Sequence, residues 1–123
     1  MNMPRKNRLL PNTTQGPVEE LCLEVDKWVR TTGVRYFDPL TNMAMLTEEV
    51  GEVARIMARR YGQQSEKASD RAKDLGEELS DVLFVVLCLA NQTGTDLQAA
   101  WQAGMKKRNT RDGQRHKRNR KLR

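Results

Sequence analysis

Two short stretches of this sequence carry carboxylates at helical spacing between apolar residues: residues 46–53, LTEEVGEV, and residues 75–82, LGEELSDV. Each holds an acidic pair three residues apart, namely Glu49 with Glu52 and Glu78 with Asp81. On an α-helix such a pair lies on one face, with Cβ atoms roughly 5–6 Å apart. Like charges at this spacing destabilise a helix by a few tenths of a kcal/mol, so the pattern calls for a compensating charge.

A divalent cation is the compensation that these residue types favour. Neither residues 45–53 nor residues 74–90 contain Lys or Arg, and the single histidine, His116, lies far along the chain. Four carboxylates without histidine or cysteine favour Mg²⁺, or alternatively Mn²⁺, over zinc. Such a site usually leaves positions for water and substrate phosphates, which indicates phosphate chemistry. The alternative is that both acidic helix faces lie in solvent.

Hydrophobic spacing predicts four helices that would position these carboxylates. The first runs from Gly16-Pro17 to Gly33, the second from a cap at Thr41 or Asn42 to Gly62, the third from a cap at Ser69 to residues 91–94, and the fourth from a cap at Asp96. The apolar repeat of the second helix predicts a buried stripe of Met43, Leu46, Val50, Val53 and Met57. Because no alternating strand pattern occurs, the fold class is predicted to be all-α, an antiparallel four-helix bundle.

An antiparallel pairing of the second and third helices brings the two acidic motifs level. At ~1.5 Å per residue, Glu52 lies roughly 14 Å and Glu78 roughly 12 Å from the connecting turn. Glu49 and Asp81 lie one turn further along, and facing helices are about 8–10 Å apart. Inward-pointing carboxylates of both helices could therefore share a metal ion.

Composition and charge divide the chain into three parts: a flexible polar arm at residues 1–15, one helical domain at residues 16–111, and a basic tail at residues 112–123. Residues 106–123 carry a charge of +9, which leaves −3 for the remainder. The tail has no aromatic residue to stack bases, which argues against a nucleic-acid partner. No apolar run is long enough to span a membrane.

Two further features concern the core and its surroundings. Cys22 and Cys88 occur on apolar stripes and are predicted to be free core thiols, which suits a reducing cytoplasm. Residues 82–90 are all apolar, so the third helix should contact several neighbours, including another subunit of a homo-oligomer. Trp28 is predicted to lie in the core, since a tryptophan on a helical stripe is usually buried.

The paired acidic motifs resemble the signature of MazG-type nucleotide pyrophosphohydrolases, in which E-E-x-x-E on one helix precedes E-x-x-D on the next. The resemblance, in particular to the short single-domain MazG-like and dCTP-pyrophosphatase group, covers roughly residues 18–111. It implies an all-α dimer or tetramer. It also implies Mg²⁺-dependent cleavage of a nucleoside triphosphate between the α- and β-phosphates, giving a monophosphate and pyrophosphate in nucleotide-pool housecleaning.

The same resemblance implies roles for individual residues. Metal ligands would be Glu49, Glu52, Glu78 and Asp81, and Glu48 would orient or deprotonate the attacking water. The family commonly holds the triphosphate with a Lys, an Asn and an Arg near the end of the last helix. Here the Lys and Asn positions fall on Gly104 and Arg108, so Lys107 and Asn109 would substitute beside the matching Arg111.

The resemblance does not transfer a base preference to this chain. The tryptophans that stack the base in dCTP-selecting relatives correspond here to Gly33 and Arg59. Phe37, with Tyr36 and Trp28, is the candidate base-stacking group. Two alternatives stay open at this point: a phosphoribosyl-ATP pyrophosphohydrolase of histidine biosynthesis, from the same helical superfamily, and a non-enzymatic helical module that binds nucleic acid through its tail.

Overall fold

The computed structural model of the chain describes residues 14–123; residues 1–13, which make up most of the predicted arm, lie outside the described residues. The helices are α1 (Pro17–Thr31), α2 (Pro39–Arg60), α3 (Ala68–Arg71), α4 (Leu75–Gln92), α5 (Leu97–Lys107) and α6 (Gly113–Arg118). A π-helix (Arg108–Asp112) joins α5 to α6, and a 3₁₀ turn (Arg120–Leu122) follows. No β-strand forms between residues 14 and 123, which confirms the all-α prediction.

The two helices that carry the acidic motifs begin with aspartate caps. The caps predicted for these two helices, Thr41 or Asn42 and Ser69, were wrong. The Asp38 carboxylate accepts a hydrogen bond from the Leu40 amide at 2.8 Å, and Pro39 fits the first helical position, so α2 begins before Thr41. The Asp74 carboxylate likewise accepts from the Gly76 amide at 2.8 Å. The predicted cap Ser69 instead lies inside the short α3.

Helix α4 is the central element, since it packs against both α1 and α2. The contacts between α2 and α4 pair residues in opposite order: Asn42 bonds to Gln92, whereas Glu52 bonds to Lys73 just before α4. These two helices therefore run in opposite directions, as the sequence predicted. Helix α5 packs against α1.

The core lies mainly between α1 and α4, and it contains both cysteines, as predicted. Its members are Cys22, Val25 and Val29 from α1 with Leu87 and Cys88 from α4. Both cysteines are buried and free, and burial raises the pKa of Cys88 to about 11. A buried thiol with a raised pKa carries little thiolate, so these cysteines fill space rather than react.

The face that α2 turns toward α4 is not its apolar stripe. The inner face recurs every three and four residues and is buried or partly buried throughout. It consists of Asn42, Met45, Glu49, Glu52 and Ile56. In the predicted stripe, Met43, Val50 and Met57 are between 43% and 50% exposed, so the prediction that they are buried was wrong for the single chain. The observed inner face thus differs from the predicted stripe by about one residue, or roughly 100° around the helix, and Leu46 and Val53 of the stripe are partly buried at its edge.

One prediction about the periphery also needs correction. Trp28 was predicted to lie in the core, but it is half exposed, and its ring packs edge-on against Phe84 with centroids 5.7 Å apart. The basic segment after α5 is helical as far as Arg118. Within the described part of the chain, none of the helices combines the length and the hydropathy that a bilayer crossing requires.

Candidate active site

Helices α2 and α4 bring three of the predicted acidic residues together. One carboxylate oxygen from each of Glu49, Glu78 and Asp81 lies within 4.8 Å of the other two. Glu49 and Glu78 are partly buried and Asp81 is exposed, so the cluster has an open side. Three carboxylates at this separation match the oxygen ligands that a hard divalent cation prefers.

The cluster is electrostatically strained in the absence of a cation. Burial raises the pKa of Glu49, and the nearby negative charges of Asp81 and Glu78 raise it further. A raised carboxylate pKa means that ionisation is unfavourable at this position unless positive charge is supplied. The donor set and its mutual repulsion both fit a divalent metal ion.

Glu52, the fourth predicted ligand, lies outside this cluster and is paired with a lysine. The Lys73 ammonium lies 2.9 Å from the Glu52 carboxylate, and this hydrogen bond lowers the pKa of Glu52. Sequence reasoning missed Lys73, which directly precedes the acidic residues of α4. The predicted hairpin places Glu52 level with Glu78, and the presence of a lysine five residues before Glu78 was the signal that could have found it.

The segment that carries Lys73 is fastened to α2 by arginines. Arg60 donates through Nη2 to the carbonyl oxygens of Lys73 at 2.8 Å and Asp70 at 3.2 Å. The buried Asp70 carboxylate accepts from Arg55 Nε at 3.0 Å and lies 3.6 Å from Arg59. These arginines therefore fix the α2–α4 connection, in addition to completing the last turn of α2.

Acid should weaken this connection. Burial opposes ionisation of Asp70, but the Arg55 hydrogen bond and the Lys67 amide outweigh it, so the pKa of Asp70 is lowered in the folded chain. A lowered pKa contributes stability that is present above the unfolded value of about 3.9 and is lost as pH falls through the folded value. We expect Asp70→Asn to lower the melting temperature at pH 7 and to differ less from the unmodified chain as pH approaches 2. Thermal melts from pH 2 to 7 test this, and a constant difference would contradict it.

An apolar cavity of about 160 Å³ lies beside the acidic cluster. Met45, one turn before Glu49, and Phe84, three residues after Asp81, both line it. The remaining wall includes Trp28, Tyr36, Phe37 and Asn42. Two of its lining residues therefore lie about one helical turn from Glu49 and Asp81, and its aromatic side chains offer surfaces on which a planar ring can stack.

The connector between α1 and α2 shapes one wall of this cavity and is held firmly. Val34 adopts φ 75°, a left-handed conformation that a β-branched residue rarely takes. Tyr36 donates through its hydroxyl to Asp26 at 2.6 Å and accepts from Asn91 Nδ2 at 3.1 Å. The Phe37 carbonyl accepts from Gln92 Nε2 at 2.8 Å. Strained backbone that persists under such restraint is typical of functional sites.

The other predicted site residues are not gathered at the cluster. Glu48 is exposed and lies outside the group of three, although it adjoins Glu49 in α2. Lys107, Asn109 and Arg111 are exposed at the end of α5 and in the π-helix, whose main contacts are with α5 and α6. Phe37 lines the cavity with its ring half exposed.

Comparison with known proteins gives consistent matches. A sequence model of the MazG nucleotide pyrophosphohydrolase domain matches residues 37–116. The uncharacterized protein YpjD of Bacillus subtilis strain 168 is 43% identical over 95 residues, which cover 77% of this chain and 86% of YpjD. The crystal structure of YPJD from Bacillus subtilis, a suggested pyrophosphatase, matches with TM-score 0.67 and 41% identity over 80% of this chain and 99% of that one. The crystal structure of a Bacillus-conserved MazG protein, a nucleotide pyrophosphohydrolase, matches with TM-score 0.63 and 38% identity over 80% and 96%.

Proposed function

Because the chain belongs to the MazG nucleotide pyrophosphohydrolase family, and is therefore a hydrolase, we propose that it cleaves a nucleoside triphosphate between the α- and β-phosphates. The products are a nucleoside monophosphate and pyrophosphate, and the role is nucleotide-pool housecleaning. The observation that carries this proposal is the convergence of Glu49, Glu78 and Asp81 on one point between α2 and α4.

The proposed cofactor is Mg²⁺, with Mn²⁺ as a substitute. Glu49, Glu78 and Asp81 hold it, and Glu52 is the fourth proposed ligand. When bound, the ion neutralises charge on the phosphates and lowers the pKa of water. Glu48, one residue from the cluster in α2, is proposed to orient the attacking water or accept its proton.

The cavity beside the cluster is proposed to receive the nucleobase. Phe84 of its lining stands about one helical turn from Asp81, and Trp28, Tyr36 and Phe37 add further aromatic surface for stacking. Asn42 is the amide of the lining that could read a base edge; its Nδ2 group donates to Gln92 at 2.8 Å. The base therefore stacks in the cavity while the triphosphate lies toward the acidic cluster.

The active form is proposed to be a homo-oligomer, a dimer or a tetramer of the antiparallel four-helix unit. One support is the apolar stripe that α2 leaves exposed at Met43, Val50 and Met57. Another is an apolar surface between α1, α4 and α5, lined by Leu21, Leu83 and Trp101. Contiguous exposed apolar side chains often mark subunit interfaces. Lys107, Asn109 and Arg111 are proposed to contact the phosphates in the site of a neighbouring copy, since within one chain they lie on an extension of α5.

Introducing a charge into the α2 stripe should dissociate the oligomer. We expect Met57→Glu to weaken subunit association at least about tenfold, because a carboxylate buried in an apolar interface is costly. Gln63→Glu, which adds the same charge to an exposed loop, should leave association unchanged. Light scattering coupled to gel filtration measures the mass of both variants, and an unchanged oligomer in Met57→Glu would place the interface elsewhere.

The proposed reaction is tested by a screen for pyrophosphate release. The full chain is incubated with Mg²⁺ and each of the canonical, deoxy and chemically damaged nucleoside triphosphates, and products are separated by chromatography. The proposal expects equal amounts of monophosphate and pyrophosphate from at least one of them, and no reaction after chelation of the metal. Release of orthophosphate alone would overturn the assigned bond cleavage.

A further inference from the structure

The ion pair between Lys73 and Glu52 occupies a carboxylate that stands beside the acidic cluster. Glu52 lies one helical turn from Glu49, which belongs to the cluster, but its Oε2 atom is bound by Lys73 Nζ at 2.9 Å. On a helix, Cβ atoms at this spacing are roughly 5–6 Å apart, so Glu52 is close enough to Glu49 to turn toward the cluster by a change of rotamer. The lysine therefore occupies a carboxylate that would otherwise be available to a cation at the cluster.

The ion pair between Lys73 and Glu52 is weak enough for Glu52 to exchange the lysine for another cation. The Lys73 and Glu52 side chains are 38% and 43% exposed, and ion pairs with such exposure are weak. The backbone of Lys73 is fixed, however, because Arg60 Nη2 donates to its carbonyl oxygen at 2.8 Å. The ammonium can leave Glu52 by side-chain rotation alone, while the connection between α2 and α4 stays in place.

We propose that Lys73 is a positioning residue that holds Glu52 away from the acidic cluster in the metal-free chain and competes with a divalent cation for that carboxylate. Binding of the cation releases the ammonium, and Glu52 then joins the three carboxylates already gathered. The inference rests on the proposed metal site, and it assigns to this chain a built-in competitor that sets how tightly the site binds metal.

A double-mutant cycle on metal affinity tests the inference without measuring activity. Binding of Mn²⁺ to the full chain, without nucleotide, is followed by electron paramagnetic resonance of the free ion. The variants are Lys73→Met, Glu52→Gln, their combination, and the conservative Lys73→Arg. Lys67→Met is the matched control, because it removes the same charge from an exposed position six residues earlier. Circular dichroism confirms that each variant remains folded.

Lys73→Met should bind Mn²⁺ more tightly by up to about fivefold, which corresponds to the loss of one exposed competing ion pair. The increase should exceed that of Lys67→Met, should vanish when Glu52 is already Gln, and should be largely reversed in Lys73→Arg. Equal effects of Lys73→Met and Lys67→Met, or a Lys73→Met effect that persists in the Glu52→Gln background, would overturn the inference and show that only net charge matters. If the unmodified chain binds no Mn²⁺, the proposed metal site itself fails, and with it this inference.

Discussion

Glu49→Gln and Asp81→Asn should each reduce Mg²⁺-dependent pyrophosphate release at least about 100-fold. Both residues contribute an oxygen to the acidic cluster, and the metal is expected to supply several kcal/mol of charge stabilisation in the transition state. Each 1.36 kcal/mol corresponds to a factor of ten in rate, so loss of a single ligand suffices for an effect of this size. Steady-state rates at saturating Mg²⁺ give the comparison.

The matched control is Glu77→Gln. Glu77 is exposed in the first turn of α4 and lies next to Glu78 in sequence, but it is not part of the cluster. Its replacement removes the same charge from the same helix and should leave turnover within about twofold of the unmodified chain, as is usual for surface substitutions. Full turnover by Glu49→Gln or Asp81→Asn would refute the assignment of the cluster.

The same Glu49→Gln variant should be more thermally stable than the unmodified chain when metal is chelated. The pKa of Glu49 is raised in the folded chain, so ionised Glu49 opposes folding at neutral pH. This cost is absent below the unfolded pKa of about 4.3 and grows as pH rises through the folded value. Melting curves in a chelator at pH 7 should therefore show a higher melting temperature for the variant that has lost activity. A merely misfolded variant would lose both activity and stability.

Among the substitutions proposed for this chain, Ile56→Ala should give the largest loss of stability, about 2–5 kcal/mol. Ile56 is only 2% exposed, and it lies on the α2 face that carries Glu49 and Glu52, seven and four residues earlier. Its truncation leaves a cavity on the inner face of α2, one turn beyond Glu52. Urea unfolding at fixed protein concentration measures the free energy of unfolding.

Leu40→Ala is the control for that measurement. Leu40 is also in α2 but is 81% exposed, so its truncation should change the free energy of unfolding by no more than about 0.5 kcal/mol. A loss below about 1 kcal/mol in Ile56→Ala would show that the surroundings of Ile56 relax around the missing atoms and are not tightly packed.

The sequence by itself determined which acidic residues the helices carry and at what spacing. The spacing of Glu49, Glu52, Glu78 and Asp81 is a local property of helices, and opposed helices joined by a short connection must bring equal distances from the turn to the same level. Helix type and the burial of the two cysteines followed from apolar spacing, and the family followed from the resemblance of the paired acidic motifs to a known signature. None of these depends on which atoms meet across the fold.

Only the tertiary structure decided which face of α2 meets α4. Periodicity identified an apolar stripe through Met43, Val50 and Met57, but it could not tell whether α4 or another subunit covers that stripe. The structure turns the face of Glu49 and Ile56 inward instead. Apolar burial has no direction, so it specifies that a surface must be covered without specifying by what.

The sequence likewise could not predict that Glu52 pairs with Lys73, because this contact joins residues that are 21 positions apart. The pairing with Lys73 needs the connecting segment to fold back on α2, and this is fixed by Arg60 bonding to backbone carbonyls. Carbonyl acceptors are present at every residue and leave no trace in composition. Spacing can thus nominate four ligands, whereas the packing of the chain determines that three are gathered and one is held by a lysine.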